Sequence, residues 1–396
     1  MTIGARYVFL GWALLFAAGE AMAAAVSPLA GLWPAIAVAL LLVVLAGYGF
    51  SWRWWREAAF VLMGIAVFFF SVVDLERDLR ARPWMRERLS RREAYRPPAE
   101  LVRMRREFSA RMAIGVEEAG EAVDLSRAIL LGERSRIRPD TRRAFVEAGS
   151  VHIFSISGLH VMAIAVALMA AASAMQFPWR WCGVAALPLL WAYVLLIGAP
   201  PSAVRAGAMA TINFMAPVFL RRPDSLMSWS ITFFAVHIFS PRMICDVGCR
   251  LSFAVMLSLI LAGEFVRSRF TGWKAAAIVS YAAWAGGVPI AAAVFSRVTP
   301  GGLLANLLLM PAAGVSVWVG MMGVVASYIS EMLAAHLNNL GALAVRFMVG
   351  VSVAVSRLPL ANFEIEPLSF LEAIVWYLIL FLPFALYFVY RRFRLF

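Results

Sequence analysis

The feature that most constrains this chain is a succession of uninterrupted apolar runs, each about 20 residues long. A helix of that length crosses the ~30 Å hydrocarbon core of a bilayer. Inside lipid, only helices and closed barrels satisfy their own backbone groups. Three runs come early: Tyr7–Val26, Leu32–Phe50 and Ala58–Leu75. After a polar segment come nine more: Val151–Ser173, Cys182–Ile197, Ala203–Leu220, Leu226–Ser240, Leu251–Val266, Ala275–Phe295, Leu303–Ser327, Leu337–Val355 and Ser369–Tyr390. No alternating strand pattern accompanies them, which argues against a β-barrel. The predicted fold is all-α, a polytopic transmembrane helix bundle of about 12 spans. Composition excludes a soluble enzyme: 63% of the residues are hydrophobic and 15% charged, against about 45–50% and about 25% in soluble chains.

The formal charge of +13 is unusual on so apolar a chain, and 35 of the 36 basic residues are arginine, with Lys274 the exception. Basic residues at span ends favour the cytoplasm. With both termini inside, Arg6, Arg53, Arg56, Arg180, Arg221, Arg222, Arg267, Arg269, Lys274, Arg391, Arg392 and Arg394 all fall on that side. The short outer connections hold Arg242 and Arg250 beside Asp246, then Arg297, then Arg357 near Glu364 and Glu366. The chain divides into a three-span region over residues 1–75, a polar and mainly helical extracytoplasmic segment over 76–149, and a transmembrane core over 150–396. The polar segment carries 18 arginines and 13 acidic residues; long segments translocate regardless of charge. Within it, Pro97-Pro98 opens a helix over Ala99–Met112, with Leu101, Met104, Phe108 and Met112 at helical spacing. That helix suits either a membrane surface or a solvated charged face. Two more helices are predicted, Asp124–Leu131 before Gly132 and Pro139–Ala148 before Gly149. Cys182, Cys245 and Cys249 read as buried thiols. The Cys-x3-Cys pair with His237 lacks third and fourth ligands, so no metal and no cofactor is expected.

Polar residues inside a span are costly and mark function or helix packing. They concentrate in four places. In Ser155-Ile156-Ser157-Gly158-Leu159-His160, Ser157 and His160 share a helix face and Gly158 lets another backbone approach. In Gly198-Ala199-Pro200-Pro201-Ser202-Ala203-Val204-Arg205, two prolines break the helix and Arg205 sits one turn into the next span. A charge at mid-membrane costs roughly 2.5–3.5 kcal/mol on insertion scales. In Cys245 to Phe253, Asp246 stands four residues before Arg250 and is placed to orient it. In Pro289 to Pro311, with Pro300-Gly301-Gly302 and Asn306, prolines and glycines predict broken or re-entrant helices, tolerated at depth only against protein or a water-filled cavity. No Gly-x-Ser-x-Gly elbow accompanies Ser157 and His160, so they are not read as a hydrolase pair and no catalytic residue is assigned.

These places, in this order, resemble the ComEC competence family, the DNA-internalisation channels of bacterial transformation. Ala128 to Ser135 resembles the family's lead-in, and Ser150-Val151-His152-Ile153-Phe154 through His160 its most characteristic signature. Pro201-Ser202-Ala203-Val204-Arg205-Ala206, Asp246-Val247-Gly248 with Leu251-Ser252-Phe253, and Asn306 with Pro311 follow. The likeness covers about residues 100–390. Full-length members carry an extracellular OB-fold after the first spans, where this chain has only about 25 residues, Glu76–Pro98. Many also end in a metallo-β-lactamase-like domain, whose His-x-His-x-Asp-His cluster is absent here. The resemblance thus implies a bare permease core in the bacterial inner membrane that passes single-stranded DNA into the cytoplasm. It implies further partners: a separate DNA receptor, a nuclease and a cytoplasmic helicase-like ATPase.

Such a path must meet one negative charge per nucleotide while accepting any base. Arg205 and Arg250 are the candidate phosphate contacts. Ser157, Gly158, His160, Ser202, Asp246, Ser252, Phe253, Asn306 and Pro311 are candidate pore-lining or helix-locking groups. The arginines of Arg77–Arg111 suit collecting DNA outside or resting on anionic lipid. Two other readings fit the same residues: a small-molecule or ion transporter, which predicts an inverted repeat, and a family member with another envelope role.

Overall fold

A computed structural model describes residues 98–380, apart from 155, 157, 240–245, 268, 370, 371 and 374. The three early spans, Ser157, Cys245 and most of the final span lie outside the described residues. Arg91–Val236 with Asp246–Ser369 forms one compact unit, which holds the elements below except the last three residues of α7. The second unit is described only in short helical stretches, such as 375–380.

The described chain is mostly helical. The polar segment supplies α1 (Ala99–Arg111), α2 (Gly120–Leu131) and α3 (Pro139–Glu147). Apolar helices follow: α4 (Gly158–Ala174), α5 (Trp179–Leu196), α6 (Pro201–Met215) and α7 (Ser225–Phe239). Then come α8 (Val247–Val266), α9 (Gly272–Phe295), α10 (Gly301–Ala326) and α11 (Glu331–Ser356). Five of them, α5 and α8 to α11, are long and apolar enough to cross a membrane. The span expected over Val151–Ser173 is shorter as a helix. A 3-10 turn over Val151–Phe154 precedes it, and α4 begins only at Gly158.

Several boundaries have a local cause. Pro139 occupies the first turn of α3, where its missing N–H costs nothing. Gly132 closes α2 in the left-handed conformation, its N–H donating to the Ala128 carbonyl at 3.0 Å. Asp246 caps α8 by accepting from the Cys249 N–H at 2.8 Å, and Ser330 caps α11. The expected breaks at Pro289 and Pro311 do not occur: α9 and α10 run unbroken through them, as α5 does through Pro188. Each proline forfeits one backbone bond, and packing against neighbouring helices holds the rest of the ladder in place. The break falls instead at 296–300. There Arg297–Val298 pairs antiparallel with Phe363–Glu364, and Arg297 meets Glu364 at 2.8 Å.

The bundle centres on the antiparallel hairpin of α10 and α11, with α8 against α9 and α4 against α5 and α6 beside it. Small residues permit the close approaches: an added Cβ at Gly286 would collide with Ser258 across α8 and α9. One face of α10 stays outward, with Leu304, Leu308, Val315, Trp318, Met322 and Val325 exposed at helical spacing. At 1.5 Å per residue this stripe is about 32 Å long, matching the hydrocarbon thickness of ~30 Å. Pro311 lies exposed in it.

The polar segment is not a peripheral layer. In α2, Ala128, Ile129, Leu130 and Leu131 are at most 1% exposed and join the central core. The Tyr193 hydroxyl of α5 donates to the Leu130 carbonyl at 2.8 Å. α1 remains on the surface, with Met104 exposed and the face of Phe108 and Met112 turned inward. Its Arg105 donates to the Leu131 carbonyl at 2.7 Å and to Glu133 at 3.2 Å. At its other end Arg111 lies 3.6 Å over the Tyr328 ring, and Glu107 accepts from both. Those two donors hold the Glu107 carboxyl below the ordinary carboxylate range. The tie therefore persists above that range and loosens only as pH falls through the lowered value.

Gly149 joins α3 to the core at a point with no room to spare. Its φ is +71°, and an added Cβ would stand 2.7 Å from Thr299 Oγ1 and 3.2 Å from Gly302 Cα. Gly149→Ala is expected to cost about 1–3 kcal/mol through backbone strain and crowding. The melting temperature of the detergent-solubilised protein reads this, and an unchanged value would refute the crowding.

Candidate functional site

Three helix starts gather around Arg205. The Ser202 hydroxyl, at the head of α6, donates to the Ile156 carbonyl at 2.6 Å, just before α4 begins. Gly158, the first residue of α4, lies against Ala206 of α6 and Met256 of α8. Arg205 itself donates to the Gly248 carbonyl at 3.2 Å, in the first turn of α8. Helix N-termini present the positive ends of their dipoles, and the Asp246 carboxylate caps that of α8.

Arg205 and Arg250 are each only 4% exposed. Buried arginine of this kind requires a structural or functional partner, because its desolvation is expensive. The Arg205 guanidinium lies 5.5 Å from the Phe253 ring centroid. Phe253 meets Trp229 edge-on at 5.7 Å and Phe233 at 5.1 Å, while Trp229 and Phe233 stack at 5.3 Å. The Trp229 indole donates to the Phe253 carbonyl at 3.0 Å, tying α7 to α8. The arrangement is a cation held against a buried aromatic cluster, with Phe253, Trp229 and Phe233 at 2%, 7% and 7% exposed.

The sequence motifs meet unequally here. Gly158, Ser202, Arg205 and Phe253 converge through the contacts above, and Asp246 and Arg250 stand at the start of α8, beside Gly248. Asp246 does more than accompany Arg250, since its carboxylate caps α8 and fixes the first turn from which Arg250 projects. Ser252 is half-buried in the second turn of α8, and His160, 1% exposed, is enclosed in the first turn of α4. Asn306 stands apart on α10, its Oδ1 enclosed with no hydrogen-bond partner among the described residues. Cys182 and Cys249 are buried thiols, and no three His, Cys, Asp or Glu side chains cluster as a metal would require among the described residues.

Sequence reasoning missed Trp229, Phe233 and the carbonyls of Ile156 and Gly248. The four-residue spacing of Trp229 and Phe233 was the available signal, since it stacks two rings on one helix face. Arg346 was also missed: it is exposed halfway along α11.

Fold and site together define a helical membrane protein with two enclosed arginines, one of them held against a buried aromatic cluster. The chain belongs to the competence protein family, whose model, described as "Competence protein", matches residues 129–390. It is 27% identical over 191 residues to ComE operon protein 3 of Bacillus subtilis (strain 168), a match covering 48% of this chain and 25% of that protein. It is 32% identical over 151 residues to competence protein ComA of Neisseria gonorrhoeae, covering 36% of this chain and 22% of that protein. The matched stretch thus spans about a quarter of each curated relative. No solved structure matches the chain.

Proposed function

We propose that this chain is a channel of the bacterial cytoplasmic membrane that passes single-stranded DNA into the cytoplasm during natural transformation. The observation that carries the reading is the pair of enclosed arginines at the junction of α4, α6 and α8. Arg205 and Arg250 meet the phosphates, and the buried cluster of Phe253, Trp229 and Phe233 holds Arg205 in place. The role is transport without a chemical step. The chain crosses the membrane about 12 times with both termini cytoplasmic, as the distribution of arginines at span ends favours. A separate DNA receptor, a nuclease and a cytoplasmic helicase-like ATPase complete the pathway.

The test is uptake of labelled DNA by a strain with a clean deletion, complemented with this chain alone. Complementation should restore label in the cytoplasm, in single-stranded form. A correctly inserted chain that restores none would overturn the reading.

A further inference from the structure

The arginines after α2 lie beside the membrane-spanning hairpin, not beyond its end. Two contacts fix their depth. Leu130 fills the space where Gly320 of α10 lacks a side chain, and Gly149 abuts Gly302 near the start of the same helix. Gly302 and Gly320 are about 27 Å apart along α10 at 1.5 Å per residue. The chain from Leu130 to Gly149 therefore travels most of the length of the outward apolar stripe between Leu304 and Val325. Val123 and Ser126 of α2 agree with that depth, since they line a small cavity with Ser316 of α10 and Gly341 of α11.

Over this stretch α3 turns Thr141, Ala144 and Phe145 inward, chiefly against α11. The opposite face and the preceding turn hold Arg134, Arg136, Arg138, Arg142 and Arg143, all exposed. Residues 134–147 carry those five arginines against two carboxylates, Asp140 and Glu147. Further carboxylates approach from α2: Arg136 stands 3.8 Å from Asp124 and Arg138 3.4 Å from Glu121, while Arg143 is 2.8 Å from Glu147. These pairs are solvent-facing and weak enough for another anion to compete. Exposed charge at membrane depth is not stable against lipid and requires water.

We infer that residues 120–149 line a water-filled vestibule at membrane depth, and that the ridge from Arg134 to Arg143 gathers the phosphodiester backbone of single-stranded DNA there. This rests on the channel reading for its ligand, while the vestibule itself does not. The ridge leads toward the arginine centre, because Gly132 touches Ile156, whose carbonyl receives Ser202 at the head of α6.

Cysteine labelling separates the two. Ser135→Cys and Arg142→Cys, in the full chain reconstituted in lipid nanodiscs, are exposed to a charged, water-borne thiol reagent. Leu308→Cys and Val315→Cys on the outward stripe serve as lipid-facing controls, with the parent chain giving the native-thiol background. Positions 135 and 142 should label rapidly and the controls should not. Oligothymidylate should slow labelling at 135 and 142 by on the order of tenfold at low salt, with the protection fading as salt rises. Labelling no faster than the controls overturns the vestibule. Rapid labelling that oligothymidylate leaves unslowed overturns the phosphate assignment. Neither readout depends on DNA uptake in cells, so a failure of the channel reading there is seen separately.

Discussion

Arg205→Ala is expected to lower the uptake of labelled DNA by roughly 10- to 100-fold, the scale of one lost charge-assisted contact at about 1.5–3 kcal/mol. The amount of chain in the membrane should stay near that of the parent. Arg205 joins α6 to the Gly248 carbonyl and lies over Phe253, so it both places α8 and supplies positive charge. Arg205→Lys separates these roles. It keeps the charge but loses the fork that reaches the carbonyl and the flat face that meets the ring. Intermediate uptake is expected for it. Unchanged uptake by a correctly inserted alanine variant would remove Arg205 from the DNA path. Equal loss in both variants, with normal insertion, would assign it to placing α8 instead.

Phe145→Ala should cost about 3–5 kcal/mol, as deletion of a fully enclosed aromatic ring does. Phe145 is 1% exposed and lies 4.5 Å from the Phe154 ring, and its carbonyl accepts from the Ser150 N–H at 2.8 Å. It therefore fastens α3 both to the core and to the turn that leads into α4. A helix of nine residues does not persist without such an anchor. The expected readouts are a large fall in melting temperature and protease cleavage between Gly132 and Gly149. Arg143→Ala, on the exposed face of the same helix, should leave both near the parent values. A Phe145→Ala protein as stable as the parent would mean that α3 is held by other contacts.

Much of this was legible in the residues. Proline at the start of α3 and glycine at the end of α2 are local signals that those helices follow closely, while five of the apolar runs within the described residues form helices of spanning length. The wrong expectation was equally local in origin. Pro289 and Pro311 look like breaks because a proline lacks one donor, yet neighbouring helices supply enough packing to carry α9 and α10 straight through. The spacing alone places Asp246 beside Arg250; that its carboxylate also accepts from the Cys249 N–H depends on where the helix begins. The aromatic wall on Phe253 was not legible, because nothing in sequence brings Trp229 of α7 to a ring in α8.

The sequence by itself determined the class of protein. Apolar runs of spanning length, the signatures around Gly158 and Arg205, and the excess of arginine are statements about composition and order, and they need no neighbour to be true. Tertiary structure alone decided where the polar segment lies. From the sequence it is a mainly helical extracytoplasmic segment whose first helix suits a membrane surface or a solvated face equally, because hydropathy averages over a window and cannot tell which face of a helix is enclosed. The structure buries one side of α2 and α3 against α10 and α11 and leaves the charged side open. The physical reason is that burial is settled face by face, by partners far away in the chain.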